Sequence, residues 1–443
     1  MPQATYNFPA GFLWGSATAA HQVEGGNANN NWSAWEAQPG RILNGDRSNL
    51  ACDWWSGRWS EDFDRAAETH QNAHRMSIEW SRIQPRPDRW DEDALDHYRE
   101  MIRGMLARGL TPMITLHHFT DPLWFSELGG WEQENAPELF EKFAAHVVEA
   151  LKEYVTLWVT INEPNVYVVS GYMGTDFPPG KSDAQAAFAV MRNLIRGHAA
   201  VYKTIKRIQK NSAIGIALNY RSLKPASAAS PIDRALAKFA HNSFNESFLR
   251  TLKTGQLRFS TQRAGIPEAI GTQDFVGVNY YTRDLVQFSP LAFRDFFMKR
   301  FFPKDAALSQ SGFIANVPEG MFESLKWANA FGLPIYITEN GVEDAADDLR
   351  PRYLIEHLHQ VWRAINFNYP IKGYFHWSLV DNFEWERGWS QRFGLWGLDV
   401  VTQARIRRPS VDLFAEICKQ NAISSDLVQR YAPESFNLLF PVN

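Results

Sequence analysis

An eight-stranded α/β barrel, a single (β/α)8 domain over residues 1–443 with its active site at the carboxyl ends of the strands, is the fold this sequence predicts. Two observations predict it: eight short runs rich in apolar and β-branched residues, and helical patterns in the stretches between them. The first run is FLWGSAT (12–18). It carries no Gly-rich phosphate loop, which an open doubly wound sheet would usually show after its first strand. AHRMSIEW (73–80), TPMITLHH (111–118) and TLWVTINE (156–163) follow. Between the third and fourth runs lies Glu138 to Lys152, with Leu139, Phe140, Phe143, Val147 and Leu151 on one helical face. The remaining runs are AIGIALN (213–219), DFVGVNYY (274–281), LPIYITEN (333–340) and IKGYFHWS (371–378). Strands that alternate with helices run parallel, and eight of them close a barrel. After the sixth run, FRDFFMKRFF (293–302) sets Phe293, Phe297 and Phe301 at helical spacing, which predicts an amphipathic helix, its role open between packing on its own domain, a lid over the active site and a subunit contact.

Composition narrows the function. Of the 443 residues 45% are hydrophobic and 21% charged, the balance of a folded globular chain. A formal charge of -4 offers no attraction to nucleic acid or to anionic lipid, so neither is an expected partner. No apolar run reaches the length of about 18 residues that spans a bilayer. The first basic residue is Arg41, so the start of the chain lacks the charged region of a secretory signal, and a cytoplasmic protein is expected. Cys52 and Cys418 are too few for a disulfide framework or a four-thiolate zinc site, although one bridge between them stays open. The chain carries 17 Trp, whose faces suit both cores and sugar rings. A homo-oligomer is compatible with all of this, and the number of subunits is not fixed.

In a barrel of this kind, polar residues at the carboxyl ends of the strands call for a chemical reading. Gln22 stands shortly after the first strand and Arg75 within the second. His118, Asn162 with Glu163, Asn279 with Tyr281, Glu339, and Trp377 followed by Glu384 stand at later strand ends. Two carboxyl groups from different strands are the minimum for glycoside hydrolysis: one protonates the leaving oxygen and the other attacks the anomeric carbon. A metal-dependent hydrolase is the natural rival, because His21, His117, His118 and His376 also lie near strand ends. His117 and His118 are neighbours on one strand and face opposite ways, however, so they do not converge on one ion. No metal and no cofactor is expected.

Seven motifs in order then carry a resemblance. FLWGSATAAHQVEG (12–25), HRMSIEWSRI (74–83), TLHHFTDPLW (115–124), TINEPN (160–165), GVNYY (277–281), ITENG (337–341) and HWSLVDNFEWERGWSQRFGLWGLD (376–399) are similar to the family 1 glycoside hydrolases, the β-glucosidase group. The resemblance implies a (β/α)8 barrel, with Glu163 as acid/base and Glu339 as nucleophile of a retaining β-glucosidase. Small β-glycosides or short β-linked oligosaccharides are the implied substrates. It further implies that Gln22, His118 and Asn162 bind sugar hydroxyls, that Glu384 and Trp385 hold the far side of the ring, and that Trp377 forms its floor. Arg75, Asn279 and Tyr281 match positions that orient or hydrogen-bond the nucleophile, Tyr281 also facing the sugar.

Three relatives in function are set aside on single residues. A silent sugar-binding module would lack a carboxylate that Glu163 and Glu339 supply, and a plant-type thioglucosidase would carry glutamine at position 163. A phosphoglycosidase needs cationic or hydroxyl groups where Glu384 stands. The sequence departs from the family pattern at Phe313, where many members carry Trp, at Trp396-Gly397, and throughout the segment after Tyr281. Those departures leave the aglycone open and the chemistry untouched.

Overall fold

Eight parallel strands pair edge to edge until the last meets the first. They are β1 (Leu13–Ala17), β2 (Ala73–Ser77), β3 (Thr111–His117), β4 (Leu157–Asn162), β5 (Ala213–Pro225), β6 (Phe275–Phe288), β7 (Ile335–Asn340) and β8 (Ile371–Trp377). Closure runs from Gly373–Leu13 and Trp377–Ala17 between β8 and β1, round to Gly215–Phe275 between β5 and β6. The computed structural model describes residues 4–292 and 295–441. All eight predicted runs carry a barrel strand. A parallel strand covered on both faces reads as a run rich in apolar and β-branched residues, as β4 does; β2 is also buried at every position although it carries His74, Arg75 and Ser77.

Helices cross between the strands: α1 (Trp59–Glu68), α2 (Glu92–Ala107), α3 (Ala136–Leu151), α4 (Ala184–Ile208), α5 (Ser247–Thr254), α6 (Glu319–Asn329) and α7 (Arg350–Asn366), with α8 (Pro409–Gln420) after β8. In α3, Phe140, Phe143, Val147 and Leu151 are buried against the barrel, and Pro137 sits in the first turn, where its missing N–H costs nothing. Asp183 caps α4 by accepting from the amides of Gln185 and Ala186. No helix among the described residues is long and apolar enough to cross a membrane. Cys52 and Cys418 are both free and buried, so no bridge joins them.

Two strands outgrow the barrel. β5 and β6 continue to pair beyond the other strands, as far as Pro225–Val286. The outer edge of β6 is then taken by a short antiparallel strand, Met298–Phe301, with Met298 opposite Phe288 and Phe301 opposite Leu285. This corrects the amphipathic helix expected over 293–302: the segment ends as a hairpin strand, and Phe293 and Arg294 lie outside the described residues. Unpaired N–H and C=O groups along the edge of β6 override the helical spacing of the phenylalanines. Leu223, Ala237 and Val286 form a small core beneath this ribbon, separate from the main one, with Leu236, Ala240 and Met298 packed against it.

The loop after β8 is pinned by charge. Arg408, at the start of α8, donates to both oxygens of Asp381 at 2.8 and 2.9 Å, and Asp381 also accepts from the amides of Gly394 and Leu398. That loop carries Glu384 and Trp385.

Candidate active site

The mouth of the barrel holds a cavity of about 830 Å³ whose floor includes His118, Glu163, Tyr281, Glu339, Trp377, Glu384 and Trp385. Glu163 is the first residue after β4. Its φ of 44° lies in the left-handed region, strained for a non-glycine residue, and such strain gathers where surrounding structure fixes a side chain for function. Its amide still pairs, with the Ala217 carbonyl at 2.7 Å. Pro164 follows and starts a short helical turn.

Two neutral amides hold the Glu163 carboxyl: Asn279 and Asn219 donate to Oε1 at 2.8 and 2.9 Å. Burial, then the charge of Glu339, pushes the Glu163 pKa up to about 8. Glu339, on β7, has a different environment. Arg75 Nη1 donates to its Oε1 at 2.5 Å and the Tyr281 hydroxyl to its Oε2 at 2.7 Å. Burial raises this pKa as well, and Arg75, Tyr281 and Asn279 oppose the rise. The two environments contrast: amides surround one carboxyl and a cation stands beside the other.

Arg75, 1% exposed, is fixed by four groups. Besides Glu339 it donates to Thr115 Oγ1, to the Thr338 carbonyl and to Asn162 Oδ1. Asn162 Oδ1 also accepts from Asn279, which fixes the Asn162 amide so that its nitrogen faces His118 Nε2 at 3.0 Å. Nε2 is therefore the acceptor of that ring and Nδ1 carries the proton. Burial, then Arg75, holds His118 neutral, well below the usual histidine range. His118 Nδ1 is buried without a partner among the described residues, and so is Gln22 Oε1, whose amide nitrogen donates to the Phe383 carbonyl and to Glu384 Oε2. One spare donor and one spare acceptor suit a ligand rich in hydroxyls. His117 turns away to Asp121 at 3.0 Å, as strand alternation requires.

Glu384 accepts from Asn382 at 2.8 Å, and burial raises its pKa to about 8, with Glu386 and Glu339 adding to the rise. The raised value weakens the charge on Glu384 near neutral pH, so the exclusion of a sugar phosphate falls to Glu384 together with the neighbouring Glu339 and Glu386. Trp377 and Trp385 are 3% and 5% exposed; each ring lies about 6 Å from His118, at 6.0 and 6.1 Å.

Every residue that the resemblance assigned to the site thus lies in this cavity or in the hydrogen-bond web beneath it, whereas His117 points away from it. Sequence reasoning missed Asn219, Asn382 and Thr338, whose hydroxyl donates to Asn279 at 2.6 Å. For Asn219 a signal existed: it is the polar residue that closes the apolar run AIGIALN, as Asn162 closes its own.

Comparison with known proteins decides the family. The family model described as glycosyl hydrolase family 1 matches residues 4–423. The chain belongs to glycosyl hydrolase family 1. The enzyme is 35% identical to beta-glucosidase A of Thermotoga maritima, over 94% of this chain and 98% of that protein. It is 31% identical to a beta-galactosidase of Saccharolobus solfataricus, over 95% and 97%. Among solved structures, the beta-glycosidase from Pyrococcus horikoshii superposes with a TM-score of 0.90 at 37% identity, over 97% of this chain and 98% of that one. This glycoside hydrolase therefore shares with those relatives the whole barrel, not a fragment of it.

Proposed function

We propose that the enzyme is a retaining β-glucosidase that releases the non-reducing terminal β-D-glucosyl residue, with β-galactosides and β-fucosides accepted in the same pocket. The observation that carries the assignment of roles is the unlike surroundings of the two carboxyl groups. Glu163, held by neutral amides and raised to about 8, is the acid; Glu339, beside Arg75, is the nucleophile. In the first step a Glu339 oxygen bonds to the anomeric carbon while the Glu163 proton passes to the glycosidic oxygen, and the aglycone leaves as an alcohol. In the second, Glu163, now ionised, takes a proton from water as that water's oxygen bonds to the anomeric carbon. The ester to Glu339 breaks, and sugar of unchanged configuration is released.

Gln22, His118, Asn162, Glu384 and Trp385 hold the sugar, Trp377 lies under its apolar face, and Arg75, Asn279 and Tyr281 position the nucleophile. A single catalytic domain over the chain and a cytoplasmic location belong to the same proposal. Proton NMR of the first-formed sugar tests the stereochemistry: the β-anomer is expected from 4-nitrophenyl β-glucoside, and the α-anomer appearing first would sink the retaining reading. With azide, Glu339→Gly should give an α-glucosyl azide and Glu163→Ala a β-glucosyl azide; the reverse pairing would exchange the two roles.

A further inference from the structure

Asn340, the residue after Glu339, is buried and meets side chains and backbone from β6, β8 and α7. Its amide nitrogen faces the Tyr280 carbonyl at 2.6 Å, and a carbonyl only accepts, so the orientation of the amide is settled. The same nitrogen lies 3.0 Å from the Tyr353 hydroxyl and 3.0 Å from His357 Nδ1, both on α7, while Asn340 Oδ1 accepts from the Tyr374 hydroxyl at 2.9 Å. The Tyr353 hydroxyl donates onward to the Tyr281 carbonyl at 2.8 Å. One phenol on an outer helix thus joins the neighbour of Glu339 to the backbone of Tyr281, the residue whose own hydroxyl holds Glu339 Oε2.

The web continues outward. His357 Nδ1 accepts from Asn340, so Nε2 carries the proton and donates to Asn316 Oδ1 at 3.1 Å. Asn316 Nδ2 donates to Glu356 Oε2 at 2.6 Å, and the other oxygen of Glu356 accepts from Ser435 at 2.7 Å and from Arg352 at 2.9 Å. From Asn340 to Glu356 every donor points the same way, and a carboxylate at the end strengthens each bond before it. Burial holds His357 neutral, well below the usual histidine range, and its ring stacks on Tyr353 at 3.7 Å. None of these side chains keeps a buried polar atom without a partner. Attaching α7 to the barrel does not require them, because Leu354, Ile355, Leu358 and Val361 of the same helix are buried, and apolar groups would fill the remaining space at least as stably. A fully satisfied polar web instead fixes one arrangement of the groups it touches.

Resting on the assignment of Glu339 as nucleophile above, we infer that Tyr353 and His357 are positioning residues of the reaction, acting through Asn340 and Tyr281 to hold the Glu339 carboxyl in line with the anomeric carbon, with Glu356 as the outer anchor. Neither Tyr353 nor His357 lines the sugar cavity, so their effect reaches the substrate only through the nucleophile.

The test measures kcat, KM and the pH profile of kcat/KM on 4-nitrophenyl β-glucoside for Tyr353→Phe, His357→Phe and Glu356→Gln. Tyr353→Phe keeps the ring and removes only the hydroxyl; kcat should fall about tenfold with KM within about twofold, as misplacement of a reacting group predicts. The acid limb, set by ionisation of Glu339, should move to higher pH, because a less firmly held Tyr281 hydroxyl favours the carboxylate less. His357→Phe should do the same. Glu356→Gln keeps the shape and removes the charge at the outer end, beside the partly exposed Arg352, so it should show smaller changes in the same direction and serves alone if the two core variants do not fold. In a Tyr281→Phe background the shift of the acid limb caused by Tyr353→Phe should disappear. Wild-type kcat and acid limb in every variant that folds, with only the thermal midpoint lowered, would overturn the inference, as would an undiminished shift in the Tyr281→Phe background. A wild-type enzyme inactive on 4-nitrophenyl β-glucoside would overturn the β-glucosidase reading and this inference with it.

Discussion

Asn162 Oδ1 accepts a hydrogen bond from Arg75 Nη2 at 2.7 Å, so the residue preceding Glu163 in the chain is tied to the cation that pairs with Glu339. The two carboxyl groups are thereby set by one shared frame, closed by Asn279, which touches both Asn162 and Glu163. Arg75→Lys keeps the charge and loses the planar fork that reaches Thr115, Thr338, Glu339 and Asn162 together. We expect kcat/KM for 4-nitrophenyl β-glucoside to fall on the order of 10²-fold or more, mainly through kcat. A loss below tenfold would show that charge alone suffices.

Activity should be bell-shaped in pH. Glu163 must be protonated and Glu339 ionised, and with Glu163 raised to about 8 the alkaline limb of kcat/KM belongs chiefly to it. The constants belong strictly to the coupled pair. In Glu163→Gln, assayed on 2,4-dinitrophenyl β-glucoside, whose leaving group needs little protonation, that limb should vanish. Its persistence would move the role elsewhere.

Asn219 offers a finer check. Its amide donates to Glu163 Oε1 at 2.9 Å and so favours the ionised form, lowering the pKa. Asn219→Ala removes one hydrogen bond to a charged group, about 1.5 kcal/mol. The alkaline limb should shift upward by about one unit. A downward shift would mean that Asn219 instead serves the protonated acid.

Glu384 links function to stability. In the unfolded chain it ionises near its ordinary value of 4.5, whereas burial holds the folded value at about 8. The folded state therefore keeps a proton that the unfolded state releases across that window. Stability from this group is complete below 4.5 and is lost as pH rises through the folded value. Glu384→Gln cannot ionise, so its thermal midpoint should gain on the wild type from pH 5 to pH 8, by at most about 1.4 kcal/mol per unit. Thermal unfolding at both pH values measures this, and a constant difference would refute it.

Asp381 should be costly to remove. Asp381→Ala leaves the Arg408 guanidinium buried without its carboxylate and frees the amides of Gly394 and Leu398. A loss of about 3–5 kcal/mol is expected for breaking such a pair. Because the loop between them carries Glu384 and Trp385, affinity for the sugar should fall with it, read as a higher KM. Unchanged resistance to urea would contradict this account.

How much of this could be read from the sequence depends on what held each part in place. Barrel strands such as TLWVTIN are buried on both faces, so their burial is written into a run of apolar and β-branched residues, and a polar residue at the end of such a run announces itself. Glu163, Asn162 and Glu339 were visible for that reason. The ribbon was not. Phe293, Phe297 and Phe301 satisfy a helical period as well as they suit a strand, and only the free edge of β6 decides between the two. Asn219 also closes an apolar run, but its partner, Glu163, lies 56 residues away just beyond the neighbouring strand, so its role shows only once β4 and β5 are paired.

The separate cluster of Leu223, Ala237 and Val286 has a mechanical consequence. A ribbon that rests on its own small core can exchange its outer side chains without repacking the main core, while β5 and β6 run on unbroken from the barrel into it. Changes in the ribbon then combine additively with changes at Glu163 or Glu339. Natural or laboratory drift can thus remodel it while the machinery that cuts stays as it is.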